Sequence, residues 1–222
     1  MLCYLCHSKE ANTKDHIPPA GFFPNPRPTN LITVPCCCSC NNRFSKDDEA
    51  VRLWLSAHIG RSPAGELIWE QKVLKKTFHR SPLLIEQLRA TLKDARLDTA
   101  SGAIEAVSYE VDSERIDRFM VRVTKGLLTH YFPDYDYSDA VFETCPIVLG
   151  STDQRLLDDI RSILKYDFRG DGVFQFRYGL TDTKLSGLWL FVFYGTTLFL
   201  TSHSKNIWGG PPPSSPTSEV GQ

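Results

Sequence analysis

Along the chain the spacing of apolar positions changes several times, and each change marks an element. Beyond a first stretch with no helical or strand period, apolar residues recur at helical spacing over 46–59 and 64–79. A further helix is expected over 82–95, where Leu84, Leu88 and Leu92 stand at i, i+4 and i+8. Residues 103–111 alternate as a strand after Gly102. Ser113 then opens an amphipathic helix whose inward stripe is Ile116, Phe119, Met120, Val123 and Leu127. A strand near 141–149, a helix over 153–165, and strands over 173–180 and 187–201 follow. The last of these, with LWLFVFYGTTLFL at its heart, is dense in aromatic and β-branched residues and belongs in the middle of a sheet. Mixed helices and strands of this kind predict an α+β fold.

The opening stretch is organised by side-chain chemistry instead. Cys3-x-x-Cys6 and Cys37-x-x-Cys40 form two knuckles, the second inside the run TVPCCCSCNN. Two such pairs allow four thiolates to converge on one zinc ion. Cys36 and Cys38 then pack beside the second knuckle, although either one in place of Cys37 would give a shifted register. Between the knuckles lie KDHIPPAGFF, a proline-rich turn, and a short strand at Leu31–Val34 preceded by Asn30. Asp15 and His16 are adjacent, and the two prolines that follow forbid a helix. After the second knuckle, Asn41-Asn42 leads into a helix start with Ser45 as its cap and Asp48 three residues on.

Composition narrows the class. With 222 residues and 41% hydrophobic content, the chain can bury a sizeable core. No apolar run is long enough to span a membrane. MLCYLCHSKE lacks the order of a signal peptide. Seven cysteines clustered in pairs suit metal binding in a reducing, cytoplasmic setting. Net charge is −1, so no global attraction to nucleic acid exists, but residues 1–46 carry five basic residues against two acidic ones. Lys72, Lys75, Lys76, His79, Arg80 and Arg89 form a local basic run, either a solvated helix face or a nucleic-acid track. His7, His58, His79, His130 and His203 have no setting comparable to that of His16 and read as surface or packing residues.

The order CxxC, DH, N-L-I-T-V-P, CxxC-N resembles the HNH endonuclease family, whose ββα-metal motif is a hairpin and helix around a divalent cation. More narrowly it is similar to the zinc-stapled branch and to a bacterial group with a DHIPP…LITVPxCxxCN pattern. The likeness covers roughly residues 1 to 50 and rests on five separated elements in the right order. It implies a zinc-stapled ββα-metal head at 1–58, an α+β body at 59–206, and a flexible Pro/Ser/Gly tail at 207–222. The body would hold the head, select substrate, or pair with a second copy or a partner protein.

Residue by residue, the resemblance makes His16 the general base and Asn30 the residue that pins the hairpin and orients that base. Asp15 and Asn41 become ligands of a catalytic Mg²⁺ or Mn²⁺, with Asn41 standing where many members carry histidine. A carboxylate and an amide are hard oxygen donors that suit those ions. Cys3, Cys6, Cys37 and Cys40 become the structural zinc ligands. Lys14, Arg43 and Lys46 would meet the backbone of DNA or RNA. The expected function is hydrolysis of phosphodiester bonds, as in phage or plasmid defence. The rival is a zinc module that binds nucleic acid or protein without catalysis. A thiol-redox protein fits less well, because it would want one CxxC at a helix start rather than two matched knuckles.

Overall fold

A computed structural model describes residues 1–99, 102–147, 154–183 and 185–205. The tail at 207–222, the end of the strand expected to reach 149, the first residue of the helix expected from 153, and the 206 limit of the body lie outside them. The expected α+β class holds.

Strands β1 (Thr13–Ile17) and β2 (Ile32–Cys36) form an antiparallel hairpin with Asp15 opposite Val34 and His16 opposite Thr33. Alternation turns Asp15 and Ile17 inward and leaves Lys14 and Thr33 exposed. Helix α1 (Cys38–Arg43) follows at once, then α2 (Ser45–Ser56). Ser45 is not the cap: Phe44 occupies that position without a side-chain hydrogen bond, and Ser45 is the first helical residue. Asp47 and Asp48 instead place negative charge in the first turn, where the helix dipole favours it.

Helix α3 (Pro63–Ile68) starts with Pro63 and with Ser62 accepting a hydrogen bond from the Gly65 N–H. It runs on through a π-helical stretch (Trp69–Thr77) to α4 (Phe78–Arg80). Helix α5 (Pro82–Ala90) stops short of 95, and Leu92 lies beyond it, 46% exposed. The chain instead enters a hairpin, β3 (Lys93–Thr99) with β4 (Gly102–Ser108).

Helix α6 (Ser113–Tyr131) is capped by Asp112 and buries the whole expected stripe. Strand β5 (Ala140–Ile147) and helix α7 (Gln154–Ile163) precede β6 (Lys165–Arg169), β7 (Phe174–Leu180), β8 (Ser186–Phe193) and β9 (Thr197–Lys205). The five strands form one antiparallel sheet in the order β5-β9-β8-β7-β6. The segment expected as one strand over 187–201 is therefore two. Tyr194 and Gly195, with φ of 50° and 77°, turn it back on itself. Its position in the middle of the sheet is as expected.

One core joins these parts. Phe22 stacks on Phe119 of α6 at 4.9 Å, and Phe119 lies 5.9 Å from Phe193 of β8. The Tyr194 hydroxyl donates to the Phe22 carbonyl at 3.0 Å. Residues on both sides of position 58 thus share one apolar interior.

Candidate metal centre

The two knuckles meet. The Sγ atoms of Cys3, Cys6, Cys37 and Cys40 lie within 4.8 Å of one another. Zinc–sulfur bonds of about 2.3 Å in a tetrahedron need sulfurs about 3.8 Å apart, so this set could hold a zinc ion. Cys37 precedes α1 and Cys40 lies within it, while a backbone turn brings Cys6 under them. Cys36 is buried with its sulfur 3.8 Å from Cys3, and Cys38 is exposed beside Asn42; neither joins the four.

Electrostatics grade the thiols. Ser8, through its hydroxyl and backbone N–H, draws the Cys6 thiol down to about 6. Ser39 and the Cys40 N–H lower Cys37. Burial pushes Cys40 up to about 12 and raises Cys36 further. Cys6 and Cys37 are thus the more easily ionised, whereas Cys40 ionises only against a cation.

The second set of residues lies along β1. Asp15 is 7% exposed, and its Oδ2 accepts from the Tyr4 hydroxyl at 2.7 Å. Burial and the neighbouring Asp15 carboxylate hold the Tyr4 phenol well above its usual range, so it stays a donor. Arg122 of α6, 3% exposed, faces Tyr4, Asp15 and Asp48, and forms an ion pair with Asp48. Asp15 Oδ1 has no hydrogen-bond partner among the described residues. Asn41 donates through Nδ2 to the Thr13 hydroxyl at 3.3 Å and to the Lys14 carbonyl at 3.4 Å. A carbonyl can only accept, so the amide nitrogen faces the strand and the Asn41 Oδ1 is left over. Each of the two side chains is fixed by one end and keeps one oxygen without a hydrogen bond among the described residues.

His16 is set differently. It is half-buried, opposite the exposed Thr33, and strand alternation turns it to the face away from Asp15. Asn30 is exposed in the turn before β2, with no side-chain hydrogen bond among the described residues. Lys14 shares the outer face of β1 with His16, while Arg43 ends α1 and Lys46 lies in the first turn of α2, all three exposed. The structure therefore joins the four cysteines, ties Asn41 to the backbone beside Asp15, and leaves Asn30 apart.

Sequence reasoning missed Tyr4, Thr13 and Arg122. Tyr4 stands between two cysteines with no spacing rule to single it out. Arg122 did leave a signal: it falls in line with Phe119 and Gly126 on the buried side of α6. A charge on an apolar stripe needs a partner. Compared with known proteins, the chain matches no family model, no curated protein and no solved structure. No helix among the described residues is long and apolar enough to cross a membrane.

Proposed function

We propose that the chain is a metal-dependent nuclease of the HNH kind that hydrolyses phosphodiester bonds in DNA. The observation that carries this reading is the hairpin–helix unit β1–β2–α1 with Asn41 hydrogen-bonded to the Lys14 carbonyl, next to Asp15. Asp15 and Asn41 would hold Mg²⁺ or Mn²⁺, and the thiolates of Cys3, Cys6, Cys37 and Cys40 a structural zinc ion. The divalent ion would supply charge neutralisation at the phosphate and at the leaving oxygen. Tyr4 holds Asp15 in one rotamer, and Thr13 does the same for Asn41. His16 accepts a proton from the attacking water, work suited to an imidazole near neutral pH. Seven free thiols fit a reducing, cytoplasmic location.

The second reading, a zinc module that binds without cutting, draws on one observation: His16 lies on the strand face opposite Asp15. Cleavage of plasmid DNA and of RNA in Mg²⁺ and Mn²⁺ decides between them. His16→Ala should lower cleavage by roughly 10²–10⁴-fold while zinc content and folding stay as in the parent. Asp15→Ala and Asn41→Ala should instead raise the metal concentration needed. A parent protein that cuts neither polymer in either ion supports the binding module.

A further inference from the structure

A second site lies where the β1–β2 connection meets α2 and the π-helical stretch. Lys72, on that stretch, is 7% exposed, yet it has no ion-pair partner among the described residues. Arg27 and Lys76, both exposed, have none either. Beside them, Arg52 of α2 reaches Thr77 at 3.4 Å, and its buried Nε is unpartnered. Gly21 makes room for this guanidinium, since a Cβ there would stand 2.9 Å from Arg52 Nη1. The neighbouring carboxylate, Glu49, is already taken by the Thr77 hydroxyl at 2.9 Å and the Ser81 hydroxyl at 2.7 Å. Its distance to Arg52 is 3.9 Å. The Asn25 N–H donates to Gln71 Oε1 at 3.1 Å, which ties the connection to the π-helical stretch.

Four cations therefore stand together, and Lys72, with its aliphatic stem covered, has no anion beside it among the described residues. Burial, followed by the charges of Lys76, Arg27 and Arg52, lowers the Lys72 pKa. Such an arrangement is unfavourable by itself and becomes favourable when an anion arrives. We propose that Arg27, Arg52, Lys72 and Lys76 form a phosphate-binding site that grips the backbone of a nucleic-acid strand. The exposed cations come from two separate elements, which suits an extended polyanion better than a small enclosed one. The π-helical stretch is consistent with this, because such local irregularities concentrate at functional sites. In taking the phosphates to be those of a strand, the inference rests on the proposed function; the anion site itself does not.

Binding is measured on the full-length, zinc-loaded protein with no Mg²⁺ or Mn²⁺ added, so that it can be read whether or not the chain cuts. The probe is a fluorescein-labelled DNA strand of about 20 nucleotides, titrated by anisotropy across a range of chloride concentrations. Arg27→Gln/Lys76→Gln, both at exposed positions, should weaken binding about ten-fold or more and reduce the salt slope by about 1.4. Lys165→Gln, an exposed charge on β6, should change it by less than about two-fold. Lys72→Met should raise thermal stability while lowering affinity, because it keeps the covered stem and removes a charge repelled by Lys76, Arg27 and Arg52. A lysine kept only for packing would lose stability and leave affinity alone. Parental affinity and slope in the double variant would overturn the site. Displacement of the strand by about 1 mM inorganic phosphate, beyond the effect of chloride at equal ionic strength, would assign the site to a small phosphate instead. Loss of binding in the double variant of a chain that cuts nothing would uphold this site and sink only the nuclease.

Discussion

His203 lies on β9 with 2% of its surface exposed, its ring against Phe142 and Tyr135. Trp189 donates through Nε1 to its Nδ1 at 3.2 Å. Indole nitrogen is a donor only, so Nδ1 accepts and the ring is neutral with its proton on Nε2. Burial pushes the pKa down to about 4. In the unfolded chain it returns to about 6.5. Between those values the unfolded chain binds a proton that the folded chain does not. This contribution to stability is complete above about pH 6.5 and is lost as pH falls toward 4, by up to about 3 kcal/mol. Urea unfolding of the parent and of His203→Phe at several pH values should show the parent losing that much more on acidification. Equal losses would show that His203 does not titrate in the fold. At this scale the sequence spoke unevenly. Paired spacing exposed the four cysteines, because ligand geometry constrains spacing directly. Tyr4 and Arg122, which act on Asp15 from remote parts of the chain, left little trace before the fold brought them together.

Among the elements, α6 bears on the candidate site most directly. Gly126 faces Ile17 of β1 so closely that a Cβ would stand 2.3 Å from Ile17 Cδ1 and 2.5 Å from Cγ1. Ile17 is 1% exposed and has little room to retreat. Gly126→Ala should therefore destabilise the protein by about 1–2 kcal/mol, despite alanine's better helix propensity. Ile17→Ala in that background should cost less than it does alone, a coupling that denaturant unfolding of the four-member cycle would measure. Helices with a long apolar stripe, such as α6, were legible from periodicity. Failures came where a local turn outweighed pattern. Leu92 continued the spacing of Leu84 and Leu88, but pairing of β3 with β4 drew residues 93–95 out of the expected helix. Tyr194-Gly195 broke an apolar run that otherwise reads as a single strand. The π-helical stretch, with ordinary amphipathic spacing, had no sequence mark at all.

Over the whole molecule, the aromatic path from Phe22 through Phe119 to Phe193 makes the cysteine-bearing hairpin part of the main core. Cys3 and Cys37, 0% and 4% exposed, belong to that same interior. Removing zinc with a chelator should therefore lower the thermal midpoint of the entire chain in a single transition. Far-UV dichroism and tryptophan fluorescence, read in a variant that keeps Trp189 of the sheet and has Trp54, Trp69 and Trp208 replaced by Phe, should move together. A tryptophan signal that stays at its original midpoint while zinc is lost would separate the hairpin from the sheet. The close fit of Gly126 against Ile17 carries a further consequence, one of inheritance. A lineage that recombined the first 58 residues onto another body would meet a strange residue at the place of Gly126, and its Ile17 would find either a clash or a void. The two halves can change only in step, so the hairpin travels with its own α6 or does not travel.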